Sequence, residues 1–345
     1  MARVRSSQEG AGSPTLDEVA RAAGVSRATA SRAINGGNRV SASAQAAVAD
    51  AVKRLGYTPN AAARSLVTRR ADSVAVVVPE PDERVFADPF FARTLSAINR
   101  VLSDRDLQLV LLLARPGEEE ARMLRYLRNR HVDGAIVVSH HRDDNLPDHL
   151  ADIGLACTFV GRPWSGADRV SFVDTDNIEG GRIATQALID RGCTRIGTVT
   201  GKVDMTAGQD RLTGWRMAMT GAGLAPDAVV EGDFSEASGE EAARDLLDRF
   251  GDVDGIFVAS DLMAAGVLRV LTERGLRVPE DVAVIGYDDL GVAERTSPPL
   301  TTVSHPVTDM ATRATRLLLE SLDAEGPVPP LRVLFTPVLV RRDTA

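Results

Sequence analysis

The chain has 345 residues, of which 44% are hydrophobic and 26% charged, as expected for a soluble globular protein of two or three domains. The net charge of −8, taken alone, argues against nucleic acid as a partner. Residues 1–70, however, hold 11 Lys and Arg against 4 Asp and Glu, so the negative charge lies in the rest of the chain. A basic head on an acidic body is expected when only the head touches nucleic acid. A solvated basic tail is the alternative.

Two other classes of protein are disfavoured. The two cysteines, Cys157 and Cys193, show no CxxC spacing, which argues against a disulfide framework and a zinc site, and no cofactor is expected. The N-terminal arginines are not followed by the apolar core of a signal peptide. The longest apolar run, 107–114, is too short to span a bilayer. These features predict a cytoplasmic protein.

Residues 1–13 are small and polar, which predicts a disordered tail, and a helix-turn-helix domain is predicted over 14–58. The stretch 15–35 reads TLDEVARAAGVSRATASRAIN. Apolar residues recur in it at helical spacing, Gly24 stands at a helix C′ position and Ser26 can cap a second helix. The outer face of that helix carries arginines and hydroxyls without a carboxylate, which suits phosphates and base edges. An ordinary helical hairpin is the alternative.

Ser41 is predicted to cap a third helix that completes the head, and residues 59–72 are predicted to form a hinge helix and linker. Pro59 breaks the chain there, and Asn60 can cap a helix of about two turns, which is marginal in water by itself. We therefore expect this hinge helix to form only when something packs on it.

From Ser73 on, strands alternate with helices, which predicts an α/β body of two doubly wound parallel sheets, an effector-binding and dimerisation domain over 73–345. We expect an N-lobe of about 73–172 plus 305–330 and a C-lobe of about 173–304 plus 331–345. The predicted strands are 74–78, 107–113, 134–138, 155–160, 196–200, 256–259, 282–285 and 332–340, and 301–304 is expected to cross back to the first lobe. The predicted helices are 89–103, 118–130, 180–191, 211–221, 240–249, 262–274 and 308–321. A cleft between the lobes is the expected ligand site.

Four motifs, in order along the chain, resemble the lactose-repressor (LacI/GalR) family of bacterial transcription regulators. They read TLDEVARAAGVSRATASRAIN, YTPNAAARSL, VASDLMAAGVLRVLTERGLRVPEDVAVIGYDD and PPLTTV. The resemblance runs from Thr15 to the end of the chain. It implies a dimeric repressor with a helix-turn-helix, a hinge helix and a body of periplasmic-binding-protein-like type. The implied effector is a small molecule, with a sugar or sugar phosphate expected, and the implied DNA is a double-stranded, pseudo-palindromic operator.

The resemblance also implies which residues contact DNA. Arg27 and Ala28 begin the recognition helix, where Arg27 suits bidentate recognition of guanine and Ala28 offers a methyl contact. Leu66 corresponds to an apolar wedge in the minor groove, and a core leucine of the hinge is the alternative. Gln45 departs from the family, in which an arginine is frequent at that position. The full set of implied contacts is Thr15, Ser26, Arg27, Ala28, Thr29, Ser31, Arg32, Asn35, Asn60, Ala63 and Leu66.

A second set of residues is implied to bind the effector. An arginine fork, carboxylates and aromatic faces together suit a polyol. Each residue alone could equally be a surface arginine or a core phenylalanine. Ser260 stands where the family commonly has Asn, so the polar side chain at this position is shorter. The set is Phe90, Phe91, Arg211, Phe234, Ser260, Asp261 and Asp288.

The sequence leaves two other functions and one other kind of site to be considered. An α/β sugar-processing enzyme with an added DNA module is disfavoured, because Gly201-Lys202 is not part of a P-loop and no GxGxxG or GxSxG occurs. A solute-binding protein is disfavoured by the basic head. Residues 140–144 (HHRDD) could suggest a metal site, but a solvated polar loop is the favoured interpretation. No heptad tail follows Val340, so a homodimer is expected rather than a tetramer held by a C-terminal coiled coil.

Overall fold

The computed structural model describes residues 14–34, 40–58, 70–115 and 117–345, which divide into two compact units at the junction of residues 71 and 72. The predicted tail (1–13) and most of the predicted hinge and linker (59–72) lie outside the described residues. The two units are taken in turn.

The helices in the described part of the first unit are α1 (Leu16–Ala22), α2 (Arg27–Ile34) and α3 (Ala42–Leu55). Gly24 has a φ of +67°, so the turn between α1 and α2 has the left-handed residue that the sequence predicts. The hydroxyl of Ser26 accepts a hydrogen bond from the Thr29 amide, and that of Ser41 accepts one from the Ala44 amide. The core is small and buries Val19, Ala20, Ala30, Val48 and Ala51.

The N-lobe of the second unit contains a six-stranded parallel sheet in the order β11-β5-β4-β3-β1-β2. Its strands are β1 (Ser73–Val78), β2 (Gln108–Leu113), β3 (Gly134–Val138), β4 (Ala156–Val160), β5 (Ser171–Thr175) and β11 (Arg332–Phe335). Its helices are α4 (Asp82–Ala87), α5 (Pro89–Ser103), α6 (Glu118–Arg128), α7 (Leu146–Ile153) and α12 (Val307–Asp323). Every residue of β1 and β3 is buried, as continuous apolar strands are when helices cover both faces of a parallel sheet.

The C-lobe repeats this architecture in the order β12-β10-β9-β8-β6-β7, with β12 antiparallel to β10 and the other strands parallel. Its strands are β6 (Ile196–Thr200), β7 (Val229–Glu231), β8 (Gly255–Val258), β9 (Ala283–Asp288), β10 (Thr301–Ser304) and β12 (Val338–Val340). Its helices are α8 (Asn177–Arg191), α9 (Thr206–Gly221), α10 (Glu236–Arg249) and α11 (Asp261–Glu273), and a 3₁₀ turn covers Ala293–Arg295.

The chain passes between the lobes three times, after β5, after β10 and after β11. This connectivity corrects three predictions. The expected lobe boundary at 172/173 falls inside β5, which belongs wholly to the N-lobe sheet. The segment 301–304 is a C-lobe strand, and the crossing follows it. The expected last strand, 332–340, is two strands in different sheets, because Pro337 lies between them and has no N–H to continue a ladder.

Four short elements were not predicted from the sequence: α4, α7, β5 and β7. Each spans three to eight residues, which is too few to establish a helical or alternating period. Of these, α4 is the most consequential, because it brings Arg84 to the cleft between the lobes.

Candidate functional site

The exposed surface of α2 carries the head's candidate DNA contacts. Arg27, Ala28 and Arg32 are exposed, and Thr29 and Ser31 are half-buried. Arg27 Nε lies 3.5 Å from Asp17 Oδ1, and both side chains are more than half exposed. Such an exposed pair is worth about 0–1 kcal/mol, so the guanidinium is easily redirected to a base. Arg32 donates from Nε to the Ala28 carbonyl.

Thr15, Ser26 and Thr29, which are among the predicted DNA contacts, also take part in helix caps within the head. Thr15 and Glu18 form a capping box at the start of α1, in which the Thr15 amide donates to the Glu18 carboxylate and the Glu18 amide donates to the Thr15 hydroxyl. These bonds lower the pKa of Glu18, the Thr15 amide being the main cause. The hydroxyls of Ser26 and Thr29 lie 2.8 Å apart at the start of α2. The remaining predicted contacts, Asn35, Asn60, Ala63 and Leu66, lie outside the described residues.

A polar cleft lies between the two lobes of the second unit, where the carboxyl ends of several strands meet. About 700 Å³ of space not filled by protein atoms lies in it, a figure that includes open solvent. Of the seven predicted effector residues, four line it: Phe90, Arg211, Phe234 and Asp288.

Arg211, on α9, is the centre of a buried polar network. It is 3% exposed and donates from Nε to Asn177 Oδ1 (2.9 Å) and from Nη1 to the Ala259 carbonyl (2.6 Å). Nη1 also lies 3.6 Å from Asp288 Oδ1, and the guanidinium stacks 3.6 Å from the centroid of Tyr287. These contacts fix the direction in which the remaining donors point, which is what recognition of a polyol requires.

The backbone holds two of the other predicted residues in unusual conformations. Phe234 has a φ of +72° and Asp288 a φ of +119°, both uncommon for residues with side chains. Phe234 can lie where it does because residue 201 is glycine: a Cβ there would be 1.9 Å from the Phe234 ring. Strained backbone clusters at ligand sites, so these outliers support the assignment of the cleft.

Three predicted effector residues lie outside the cleft lining, which corrects the sequence interpretation. Ser260 is the N-cap of α11, and its hydroxyl accepts from the Met263 amide. Asp261 is buried behind the site, where it accepts hydrogen bonds from the Thr302 hydroxyl (2.6 Å) and the Asp289 amide (2.8 Å). Burial, followed by the charge of Asp288, raises its pKa.

Phe91 is the third. It is 1% exposed and belongs to the N-lobe core, with its ring edge-on to Phe90 at 5.1 Å. Phe90 itself lines the cleft and stacks on His305, with 5.9 Å between ring centroids. The aromatic pair is therefore one cleft residue supported by one core residue, because adjacent residues of a helix point in different directions.

Several cleft residues were missed from the sequence, among them Arg84, Asp88, Arg162, Asp174, Asn177 and His305. Burial is the main cause that raises the pKa of Asp88 to about 6, with the charge of Asp288 adding to it. Burial also raises the pKa of Asp174. Arg162, Asp174, Asn177 and His305 lie within two residues of the carboxyl end of a strand, and that position was the available signal.

The HHRDD segment is not the solvated polar loop that the sequence predicts. His140 is 6% exposed, and burial lowers its pKa to about 4. His141 joins the lobes, with Nε2 3.0 Å from Glu80 Oε1 and Nδ1 2.9 Å from Asp204 Oδ2. Burial opposes the charged form of His141, but the two carboxylates outweigh it and raise the pKa. Among the described residues no group of side chains is arranged to hold a metal ion.

A head with an exposed cationic helix and a two-lobed body with a polar cleft define a class of protein, the DNA-binding regulators that respond to a small ligand. Comparison with known proteins identifies the family. Residues 15–60 match the description "Bacterial regulatory proteins, lacI family", and residues 185–345 match "Periplasmic binding protein-like domain".

Whole-chain relatives agree. The HTH-type transcriptional regulator CelR of Thermobifida fusca is 49% identical over 331 residues, which cover 95% of this chain and 97% of CelR. The ribose operon repressor of Escherichia coli strain K12 is 35% identical over 96% of this chain and 99% of its own length. The chain therefore belongs to the LacI family, and it is a sequence-specific DNA-binding transcriptional regulator.

Solved structures give the same result. A structure of a CelR–cellobiose complex matches with a TM-score of 0.77 and 46% identity, over 96% of this chain and all of that chain. The lac repressor dimer bound to operator and the anti-inducer ONPF matches with a TM-score of 0.85 and 26% identity, over 96% and 99%. The relatives are regulators rather than enzymes. No helix in the described part of the chain is long and apolar enough to cross a membrane.

Proposed function

We propose that this protein is a homodimeric repressor whose operator affinity is controlled by an uncharged β-linked glucose disaccharide of the cellobiose class, bound between the lobes. It acts in the cytoplasm and is nucleoid-associated when bound to DNA. The cleft binds and releases its ligand without chemical change. CelR, the relative at 49% identity, has been solved with cellobiose, and this supports the choice of sugar.

The charge balance of the cleft is the observation that carries the choice of an uncharged sugar over a sugar phosphate. Each arginine that lines the cleft already has a carboxylate: Arg84 lies 2.7 Å from Glu80, Arg162 lies 2.5 Å from Asp210, and Arg211 lies 3.6 Å from Asp288. Asp88 and Asp174 add further carboxylates to the lining. A phosphate needs uncommitted cations, whereas hydroxyl groups can use a mixture of donors and acceptors.

The proposed DNA contacts follow from the exposed face of α2. Arg27 and Ala28 contact bases in the major groove, Arg32 lies near base edges, and Ser26, Thr29 and Ser31 contact the DNA backbone. Asn35, Asn60, Ala63 and the wedge Leu66 complete the interface, as the family resemblance implies. Leu66→Ala is expected to weaken operator binding much more than non-specific binding.

The proposal is tested by linkage. An operator duplex is first selected from random sequences, and its affinity is measured by fluorescence anisotropy at about 0.15 M salt with and without cellobiose. Calorimetry then measures cellobiose affinity with and without that duplex. We expect the two factors to be equal, because the coupling between two ligands is reciprocal. Cellobiose that binds without changing operator affinity, or cellobiose 6-phosphate that binds more tightly than cellobiose, contradicts the proposal.

A further inference from the structure

We propose that Arg84 is an effector-contacting residue, a second arginine that recognises the sugar from the N-lobe wall of the cleft. This inference rests on the proposed function. Arg84 is on α4, a helix that neither the sequence pattern nor the family motifs indicated. It lines the cleft together with Arg211, but the two arginines share no partner in the network described above.

The side chain of Arg84 reaches from one lobe to the other. Its guanidinium carbon lies 6.0 Å from the ring centroid of Phe91 in the N-lobe and 5.1 Å from that of Phe234 in the C-lobe. Both terminal nitrogens lie within 4.0 Å of the Met205 sulfur, also in the C-lobe. The side chain is only 18% exposed, so its polar atoms are largely withdrawn from water.

Most of the donors of Arg84 lack a strong acceptor. Nη1 donates to Glu80 Oε1 at 2.7 Å, whereas the Met205 thioether is a weak acceptor. Nε is buried and has no hydrogen-bond partner in the described part of the chain. A buried, unpaired N–H is costly and calls for an explanation. Because Nε is enclosed by protein, the donors left for a ligand hydroxyl in the adjoining cleft are those of Nη2, whose partner in the described part of the chain is the Met205 sulfur at 4.0 Å.

Arg211 provides the contrast. It uses both Nε and Nη1 on protein oxygen atoms, so its role is to be held rigidly and to offer its remaining donors. Arg84 has more free donor capacity and faces a different set of neighbours. Two arginines with separate partners give the cleft two positions from which to donate hydrogen bonds to a ligand.

The side chain of Arg84 is also held in position by Glu80, which is itself held by other side chains. Glu80 is 2% exposed and accepts hydrogen bonds from the Ser139 hydroxyl (2.5 Å) and from His141 Nε2 (3.0 Å). The guanidinium is thus tied to a carboxylate that is itself fixed by two side chains. Such support preorganises a binding group and reduces the ordering cost when a ligand arrives.

Arg84→Met tests the proposal in the full-length protein, with cellobiose affinity measured by calorimetry. We expect the dissociation constant to rise roughly tenfold or more, as for a lost hydrogen bond to a charged donor. Arg84→Lys keeps the charge but not the fork, and it should fall between the wild type and Arg84→Met. Operator affinity without sugar is measured for all three proteins alongside, so that a change in how the lobes are held together is recorded separately from the loss of sugar affinity.

Arg142→Met is the matched control, because Arg142 also joins the lobes, donating to the Val203 carbonyl at 3.3 Å, but does not line the cleft. A residue that acts only by holding the lobes together should behave as Arg142 does. Equal losses in Arg84→Met and Arg142→Met, or an Arg84→Met affinity like that of the wild type, would overturn the role of Arg84 and leave the proposed function standing. A wild-type protein that binds neither cellobiose nor other uncharged sugars would overturn both.

Discussion

The recognition helix of the head and the cleft of the body both use arginines, but under opposite conditions. Arg27 is 69% exposed and has a loose partner at 3.5 Å, whereas Arg211 is almost fully buried and held by Asn177, Ala259 and the ring of Tyr287. An exposed arginine is free to adapt to a nucleic acid, and a buried one must have its direction fixed by the fold. Arginine therefore serves as an adaptable, exposed side chain in one unit and as a rigidly held, buried side chain in the other.

The largest expected effect is that of Arg211→Ala. Removing Arg211 leaves Asn177 Oδ1 and the Ala259 carbonyl without their donor and Asp288 without its nearby guanidinium, at a cost of about 3–5 kcal/mol. Cellobiose binding measured by calorimetry should be lost, while operator binding measured by anisotropy without sugar should remain. Arg216→Ala, on the exposed side of the same helix, is the control and should bind cellobiose normally. Retained cellobiose titration in Arg211→Ala would remove Arg211 from the site.

Arg27→Ala sharpens the other side of the comparison. A bidentate arginine–guanine contact discriminates against other bases by about 1–3 kcal/mol. We expect the specific operator to bind roughly 5- to 150-fold more weakly, with relaxed preference at one base pair, while affinity for random duplex changes little. Lys53→Ala, in the last turn of α3, should change specific and non-specific binding by similar small factors. Equal losses for Arg27→Ala on both duplexes would indicate a phosphate contact instead.

Gly201→Ala tests how closely the cleft is packed. The added Cβ would lie 1.9 Å from the Phe234 ring, so either the ring or strand β6 must move, and overpacking of this kind costs about 1–3 kcal/mol. Thermal unfolding should show a lower Tm for the body and calorimetry a weaker sugar affinity. Gly221→Ala, at the end of α9 with nothing within 4 Å of the added carbon, should leave both unchanged or raise the Tm slightly. A Gly201→Ala protein as stable as the wild type would contradict the packing argument.

The contrast between exposed and buried residues also explains what could be predicted from the sequence. Helices α1 to α3, their caps and the alternation of strands such as β3 and β6 follow from periodicity and cap residues, which are local signals. The exposed face of α2 could be described before the structure because its arginines are exposed and the pair that Arg27 forms with Asp17 is itself exposed.

The cleft was only partly predictable, because the role of a buried polar residue depends on partners far away in sequence. Ser260 and Asp261 are adjacent to the site in the motif, but the first caps α11 and the second anchors Thr302 and Asp289. His305, Arg162 and Asp174 belong to no motif that was recognised. They could have been found by taking the polar residues at the end of every parallel strand, where the ligands of such sheets bind.

The smallest expected effect is a dependence of stability on pH that separates the two units. Both ring nitrogens of His141 face carboxylates, Glu80 in its own lobe and Asp204 in the other, and Arg84 and the buried His140 lie nearby. Two carboxylate acceptors require both nitrogens to donate, so the bridge needs the imidazolium. The folded-state pKa of His141 is raised, so its stabilising contribution is complete below the unfolded value of about 6.5 and is lost as pH rises through the folded value.

Asp88 acts in the same direction at lower pH. Its pKa is raised to about 6, so stability is lost as pH rises from the unfolded value of 3.8 through 6. In the head, the pKa of Glu18 is lowered instead, and its contribution is present above 4.5 and lost only in acid. His140, whose pKa is lowered to about 4, acts in the opposite direction and adds stability as pH rises to its unfolded value of about 6.5. The fall in the Tm of the body that His141 causes should therefore appear between about pH 7 and 8, while Glu18 leaves the head unchanged over this range.

Asp204→Asn isolates the part played by His141. Removing one of the two carboxylates should lower the pKa of His141 and move the fall in Tm to lower pH, as followed by calorimetric scans from about pH 6 to 8. Asp143→Asn, at an exposed position two residues from His141 and outside the bridge, should leave the profile unchanged. If the Tm of the wild type and of Asp204→Asn changes identically with pH, His141 is not protonated when it joins the lobes. The contact of His141 with the carboxylates would then be a hydrogen bond of a neutral imidazole. The polar contacts of the body would in that case differ less from those of the head than the geometry indicates.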